Sequence, residues 1–205
     1  MLTLRAQTAS CYSSLALPSD MSEVGHSGMT PIEWRTHHAA WAIVSSPLII
    51  GFDMSDSELV DAVWPIVSNL ETIAVSQTYY GFSGSMYASA EEKINLCSQA
   101  DVTVSSVRRN LASSSRAASC ASDAAVWMAL YKPIDAKRTA VLVINNADSA
   151  ADLNIVFSDV PKLPCGTTCK VRDIYEQKDV GTFTNTYKAQ NVPSHDSIFV
   201  MLSEE

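Results

Sequence analysis

From Thr30 to about Ser45 the run TPIEWRTHHAAWAIVS carries the marks of a helix start: Thr30 as N-cap, Pro31 at the first helical position and Glu33 to close a capping box. Pro47 ends that helix. Leu48, Ile49, Ile50 and Gly51 then form a short unbroken apolar run, the pattern of a strand buried on both faces as in a parallel sheet. Ser55 or Ser57 caps a second helix through SELVDAVWPIV, with Leu59, Val63, Ile66 and Val67 on one face and Pro65 kinking or shortening the last turn. Helix, strand, helix is an α/β pattern. A lone strand cannot make a sheet, so its neighbours are implied upstream of this stretch.

Between residues 83 and 122 the texture changes to Ser and Ala with few large apolar side chains, ending in NLASSSRAASCAS. Such a run cannot repay its ordering entropy by burial and reads as a linker or surface insertion. From Ala124 onward AVWMALY, TAVLVINN, LNIVFSDV, KVRDIY, TFTNTYKAQ and DSIFVMLS are short runs rich in β-branched or aromatic residues, separated by turn signals. Six or so strands predict an antiparallel sandwich. Alternation in Leu153, Ile155, Phe157 and again in Ile198, Val200, Leu202 predicts one core face and one wet face per strand. By texture the chain thus divides into an α/β part ending at residue 82, a linker 83–122 and a β domain 123–205.

Charge narrows the partners. A formal net charge of −8 leaves no basic surface for phosphates, which disfavours nucleic acid and anionic membranes. No apolar run approaches the ~20 residues of a membrane-spanning helix, because Asp53, Asp56 and Glu58 follow closely on Ala39–Ile50. The N-terminal run MLTLRAQTASCYSSLAL makes a poor secretory signal, and the compartment stays unassigned.

The five cysteines are Cys11, Cys97, Cys120, Cys165 and Cys169, without the spacing of a zinc site. Cys165 and Cys169 enclose Gly-Thr-Thr between strand-like runs, which suits a disulfide across a tight turn; two free thiols are the alternative. Cys97 and Cys120 could staple the linker. His37 and His38 sit on a helix with no third spaced ligand, so packing is the better reading. Trp34, Trp41, Trp64 and Trp127 have the spacing of core residues. There is no Gly-x-Ser-x-Gly elbow to raise a nucleophilic serine.

Taken in order, DMSEVGHSGMT, RTHHAAWAIVSSPLIIGFDM, SNLETIAVSQ, AVWMALYKPI, CKVRDIYEQKDVGTF and VPSHDSIFVML resemble the tail of the α-galactosidases of glycoside hydrolase family 27. The resemblance covers about Asp20–Gln77 and Ala124–Leu202, which implies a front edge at 20 for the α/β part, 20–82, and leaves 1–19 unmatched. It implies the last units of a TIM barrel followed by a C-terminal antiparallel β domain. It also places Asp20 and Met21 in the loop after the seventh barrel strand, where residues face the active site. By resemblance Asp20 contacts sugar hydroxyls, a task suited to a carboxylate that accepts two hydrogen bonds, and Met21 lines the pocket. His195 matches a family turn before the last strand.

The implied substrate is a terminal α-linked galactoside or a related sugar, hydrolysed with retention by two carboxyl groups about 5 Å apart. The family carries both on earlier barrel strands, and residues 1–19 contain no Asp or Glu, so no residue here is assigned a catalytic role and the chain alone is expected to be inactive. No cofactor or metal is implied. Two departures stand out: Ala16–Ser19 replaces the family's Trp-Asn-Asp-Pro, and Ser76-Gln77-Thr78-Tyr79 replaces its Asn-Gln-Asp-Pro. The alternative reading is a non-catalytic β-sandwich module that binds carbohydrate or protein.

Overall fold

The structure, a computed structural model, describes residues 21–95 and 121–204. Its N-terminal part is helical. Helix α1, Pro31–Ile43, begins with the expected capping box: the Glu33 amide donates to Thr30 Oγ1, and the Thr30 amide donates to the Glu33 carboxylate at 2.7 Å. The backbone bond to Thr30 holds the Glu33 carboxyl below its ordinary range.

Helix α2, Ser57–Val67, is capped by Asp56 rather than by either serine, because Asp56 Oδ1 accepts the Leu59 amide at 3.1 Å while Ser55 donates to Asp53. Pro65 lies inside α2, near its end. A third helix, α3 at Leu70–Gln77, had no counterpart in the hydrophobic pattern. Asn69 caps it, accepting from the Glu71 and Thr72 amides.

The expected strand at Leu48–Gly51 is reduced to one parallel bridge, Ser22 to Ile50. Ile49 and Ile50 are about half exposed, at 52% and 43%, rather than buried on both faces. No further strand among the described residues pairs with them. Trp64, expected in the core, is likewise exposed.

The rest is antiparallel β. Strands β1 Ser85–Asn95, β2 Ala121–Pro133, β3 Arg138–Asn145, β8 Ser197–Ser203, β5 Thr168–Asp173 and β6 Lys178–Thr184 form one six-stranded sheet in that spatial order. β4, Ala151–Val156, pairs with β7, Thr186–Val192, in a second layer. The expected antiparallel sandwich is therefore present.

One core lies between the two sheets and contains Val141, Val143, Leu153, Ile155, Phe157, Val200 and Leu202. A second lies on the opposite face of the large sheet, where Leu142, Ile144 and Phe199 meet Ala39, Ile43 and Val75 of the helices. β4 keeps the simple alternation of core and wet faces, and β5 follows it through Cys169 and Val171. β3 is buried at every position after Arg138, because α1 and α3 cover the face that would otherwise be wet.

The segment 83–122, expected as a linker or insertion, starts with β1 and ends inside β2; residues 96–120 lie outside the described ones. β1 pairs with β2 along its length, and Tyr87 of β1 packs edge-on to Tyr131 of β2 with centroids 5.8 Å apart.

Cys165 and Cys169 form a disulfide with Cα atoms 5.1 Å apart, closing the turn that leads into β5; Cys169 is fully buried in the inter-sheet core. Cys11, Cys97 and Cys120 lie outside the described residues. Closing so short a loop restricts the unfolded chain modestly, so Cys165→Ser should cost about 2 kcal/mol. Thermal unfolding of the variant against the oxidised parent measures this, and an unchanged midpoint would mean that packing alone holds the turn.

Candidate functional site

The segment after Met21 and the segment Leu48–Phe52 run side by side. The Ser22 amide donates to the Ile49 carbonyl at 2.9 Å. A Cβ on Gly51 would stand 2.7 Å from the Ser22 carbonyl oxygen, so only glycine permits this approach. One residue further, the Glu23 amide donates to His37 Nε2 on α1 at 3.1 Å. Val24 is buried against Trp34 and Val63, which roots the segment between α1 and α2.

A cleft of about 470 Å³ opens beside these two segments, walled by Ser22, Val24, Ile49, Ile50, Phe52 and residues of α3. Its lining is mostly apolar and includes no carboxylate, so the described residues offer it no acid and base pair. Met21 lies next to the cleft with half its surface exposed, close to Gly51 but not among the lining residues. Asp20 lies outside the described residues.

His37 and His38 are both buried, consistent with packing roles. Burial holds the His38 imidazole down to about 4, with neighbouring His37 adding to the effect. Burial also lowers His37, and the Glu23 carboxylate opposes that shift. His195 occupies a left-handed turn, φ 59°, just before β8.

Polar contacts fasten the helices to the sheet at several points. Arg35 Nη2 reaches both oxygens of Asp196, at 2.7 and 2.8 Å, and its guanidinium lies over the Tyr175 ring at 4.6 Å. The Tyr175 hydroxyl and Thr36 Oγ1 meet at Ser197 Oγ, 2.6 and 2.9 Å away. Asn69 Nδ2 donates to the Ile174 and Tyr175 carbonyls. Arg172 on β5 joins Glu71 of α3 to Asp179 of β6. Lys132 on β2, fully buried, donates to the Val75 and Ser76 carbonyls at the end of α3.

None of these ties was singled out from the sequence. The partners of Arg35 and Asn69 stand more than a hundred positions away. Only the polar character of Arg35 and His37 on a helix that must also bury Ala39 and Ile43 signals that α1 is covered on more than one side.

Residues 122–202 match the α-galactosidase C-terminal β-sandwich domain. The α-galactosidase of Coffea arabica is 28% identical over 186 residues, an alignment that takes in 91% of this chain and 39% of the coffee protein. The crystal structure of α-galactosidase I from Mortierella vinacea superposes with a TM-score of 0.66 at 24% identity, over 91% of this chain and 39% of that one. The α-galactosidase of Saccharomyces cerevisiae solved with raffinose gives a TM-score of 0.65 at 16% identity, over 91% and 46%. The chain thus spans less than half the length of these proteins. Along most of its length the chain is similar to the C-terminal portion of α-galactosidases, and residues 122–202 match the C-terminal β-sandwich domain of that group.

Proposed function

We propose that this chain is the C-terminal part of a retaining α-galactosidase-like hydrolase acting on terminal α-linked galactosides, with its catalytic carboxylates supplied by sequence outside these 205 residues. In this reading Ser22–Val24, Leu48–Phe52, α1 and α2 are the last units of a (β/α)8 barrel, and Asp20 and Met21 belong to the sugar pocket. The observation that carries the proposal is the parallel bridge between Ser22 and Ile50, with half-exposed Ile49 and Ile50 and an open apolar cleft beside it. A two-segment parallel contact of this kind calls for further strands to bury it.

The binding-module reading has less support, because the central strands β3 and β8 of the large sheet are covered by the second sheet on one face and by the helices on the other.

Two assays test the proposal. The pure chain should hydrolyse nitrophenyl α-galactoside no faster than buffer, and clear turnover would refute the dependence on outside carboxylates. A chimera joining residues 20–205 to the preceding part of the Mortierella enzyme should be active. Asp20→Asn in that chimera should lower kcat/KM by about 30- to 100-fold, the effect of weakening charge-assisted hydrogen bonds to sugar hydroxyls. An inactive, folded chimera would overturn the pocket assignment.

A further inference from the structure

Building on that reading of the Asp20–Val24 segment, we propose that His37 is a positioning residue: as a neutral imidazole it holds the Glu23 backbone, and with it Met21, in place, and protonation releases the hold.

The geometry leaves the ring one role. His37 is 1% exposed, and its Nε2 accepts the Glu23 amide at 3.1 Å. Nε2 therefore carries no proton, which puts the ring proton on Nδ1, an atom buried with no hydrogen-bond partner in the structure. The ring stacks on Trp41 with centroids 3.8 Å apart, which fixes its plane. A proton added at Nε2 would set N–H against N–H. The Glu23 amide would lose its acceptor and the new cation would stand in a dry site with no hydrogen bond to receive it.

The segment is also tied on either side of this bond: Val24 packs against Trp34 and Val63, and the Glu23 carbonyl accepts from the His26 amide at 3.0 Å. Ser22 is bonded to Ile49, and Val24 donates locally to Ser22 Oγ at 3.4 Å.

The charged and titratable groups around His37 do not restore the bond once it is protonated. Glu23, on the held segment, favours the proton by its charge. His38, next on α1, is itself held neutral by burial and by neighbouring His37, and Arg35 on the same helix is already paired with Asp196 from the sheet side. The loop 45–52 and α3 contribute no charged side chain to the cleft wall.

Backbone amide exchange on the whole chain tests this directly. The protection factor of the Glu23 amide should fall about tenfold between pH 7 and about pH 4.5, as expected for one lost hydrogen bond, while Val141 and Leu142 in the sheet centre stay protected. His37→Gln, which keeps an acceptor at similar reach but cannot titrate, should hold Glu23 protected and flatten the pH dependence. His37→Leu should lose the protection at both pH values. Should the leucine variant fail to fold, the wild-type pair of measurements and the glutamine variant still decide. Glu23 protection that is unchanged by pH in the wild type, or that still falls with pH in the glutamine variant, overturns the proposal. If the exchange results hold and the chimera is inactive, the pocket reading fails and the positioning role stands.

Discussion

Gly84→Ala should destabilise the protein by roughly 4 kcal/mol or more, at the extreme of single-substitution effects. Gly84 sits where the chain passes from the helices into β1, at φ +89°, and a Cβ there would stand 1.9 Å from the Ile43 carbonyl oxygen and 3.4 Å from Lys132 Cβ. The oxygen belongs to the last residue of α1, so relieving the clash means moving the helix off the sheet rather than turning a side chain. The neighbouring tie from Ser45 Oγ to the Ser83 carbonyl, 2.9 Å, would be strained by the same movement. Gly81→Ala is the internal control. Gly81 also has positive φ, +70°, but a Cβ there meets nothing within 4 Å, so only the left-handed backbone penalty of about 1–2 kcal/mol applies. Urea unfolding of the two variants separates backbone strain from steric exclusion. If they lie within about 1 kcal/mol of each other, the helix and sheet are not in the close contact described.

Local chemistry was legible in the sequence wherever it sufficed. The Thr30, Pro31 and Glu33 start of α1 and the strand texture after Ala124 rest on neighbouring residues alone, and both are present. The Cys165–Cys169 bridge is also local. What depends on long-range burial was not legible. Periodicity in β8 marks Val200 and Leu202 as core but cannot show that Phe199, on the other face, is buried under helices more than a hundred residues earlier. β1, with few large apolar residues in its sequence, becomes a strand because β2 lies beside it. The apolar run Leu48–Gly51 has the composition of a buried strand, yet burial requires neighbours, and among the described residues only Ser22 pairs with it. As for the candidate site, resemblance pointed to Asp20 and Met21, whereas His37, which holds the adjoining backbone, looked like ordinary packing because its partner is an amide and not a side chain.

Lys132→Met should cost about 2–3 kcal/mol, even though it removes a buried charge and keeps the volume of the side chain. Lys132 has no exposed surface, and its ammonium donates to the Val75 and Ser76 carbonyls, the latter at 3.1 Å. These carbonyls lie in the last turn of α3, where helix geometry leaves acceptors unpaired and the dipole is negative. The turn has no basic residue of its own, so the sheet supplies the cation. Methionine fills the space but donates nothing, leaving buried acceptors unmet. The pH dependence carries the distinguishing sign. Burial pushes the Lys132 ammonium down to about 8 from its ordinary value of 10.5. Below about 8 both folded and unfolded chains hold the proton, and the full cost of burying the charge is present. Between about 8 and 10.5 the unfolded chain binds more protons than the folded one, so wild-type stability gains from this group as pH rises. The neutral amine can still donate to both carbonyls. The gap between wild type and the methionine variant should therefore widen from pH 7 to pH 10, read from chemical denaturation at each pH. A gap that narrows over that range would mean that the charge of Lys132, rather than its hydrogen bonds, holds the end of α3 against the sheet.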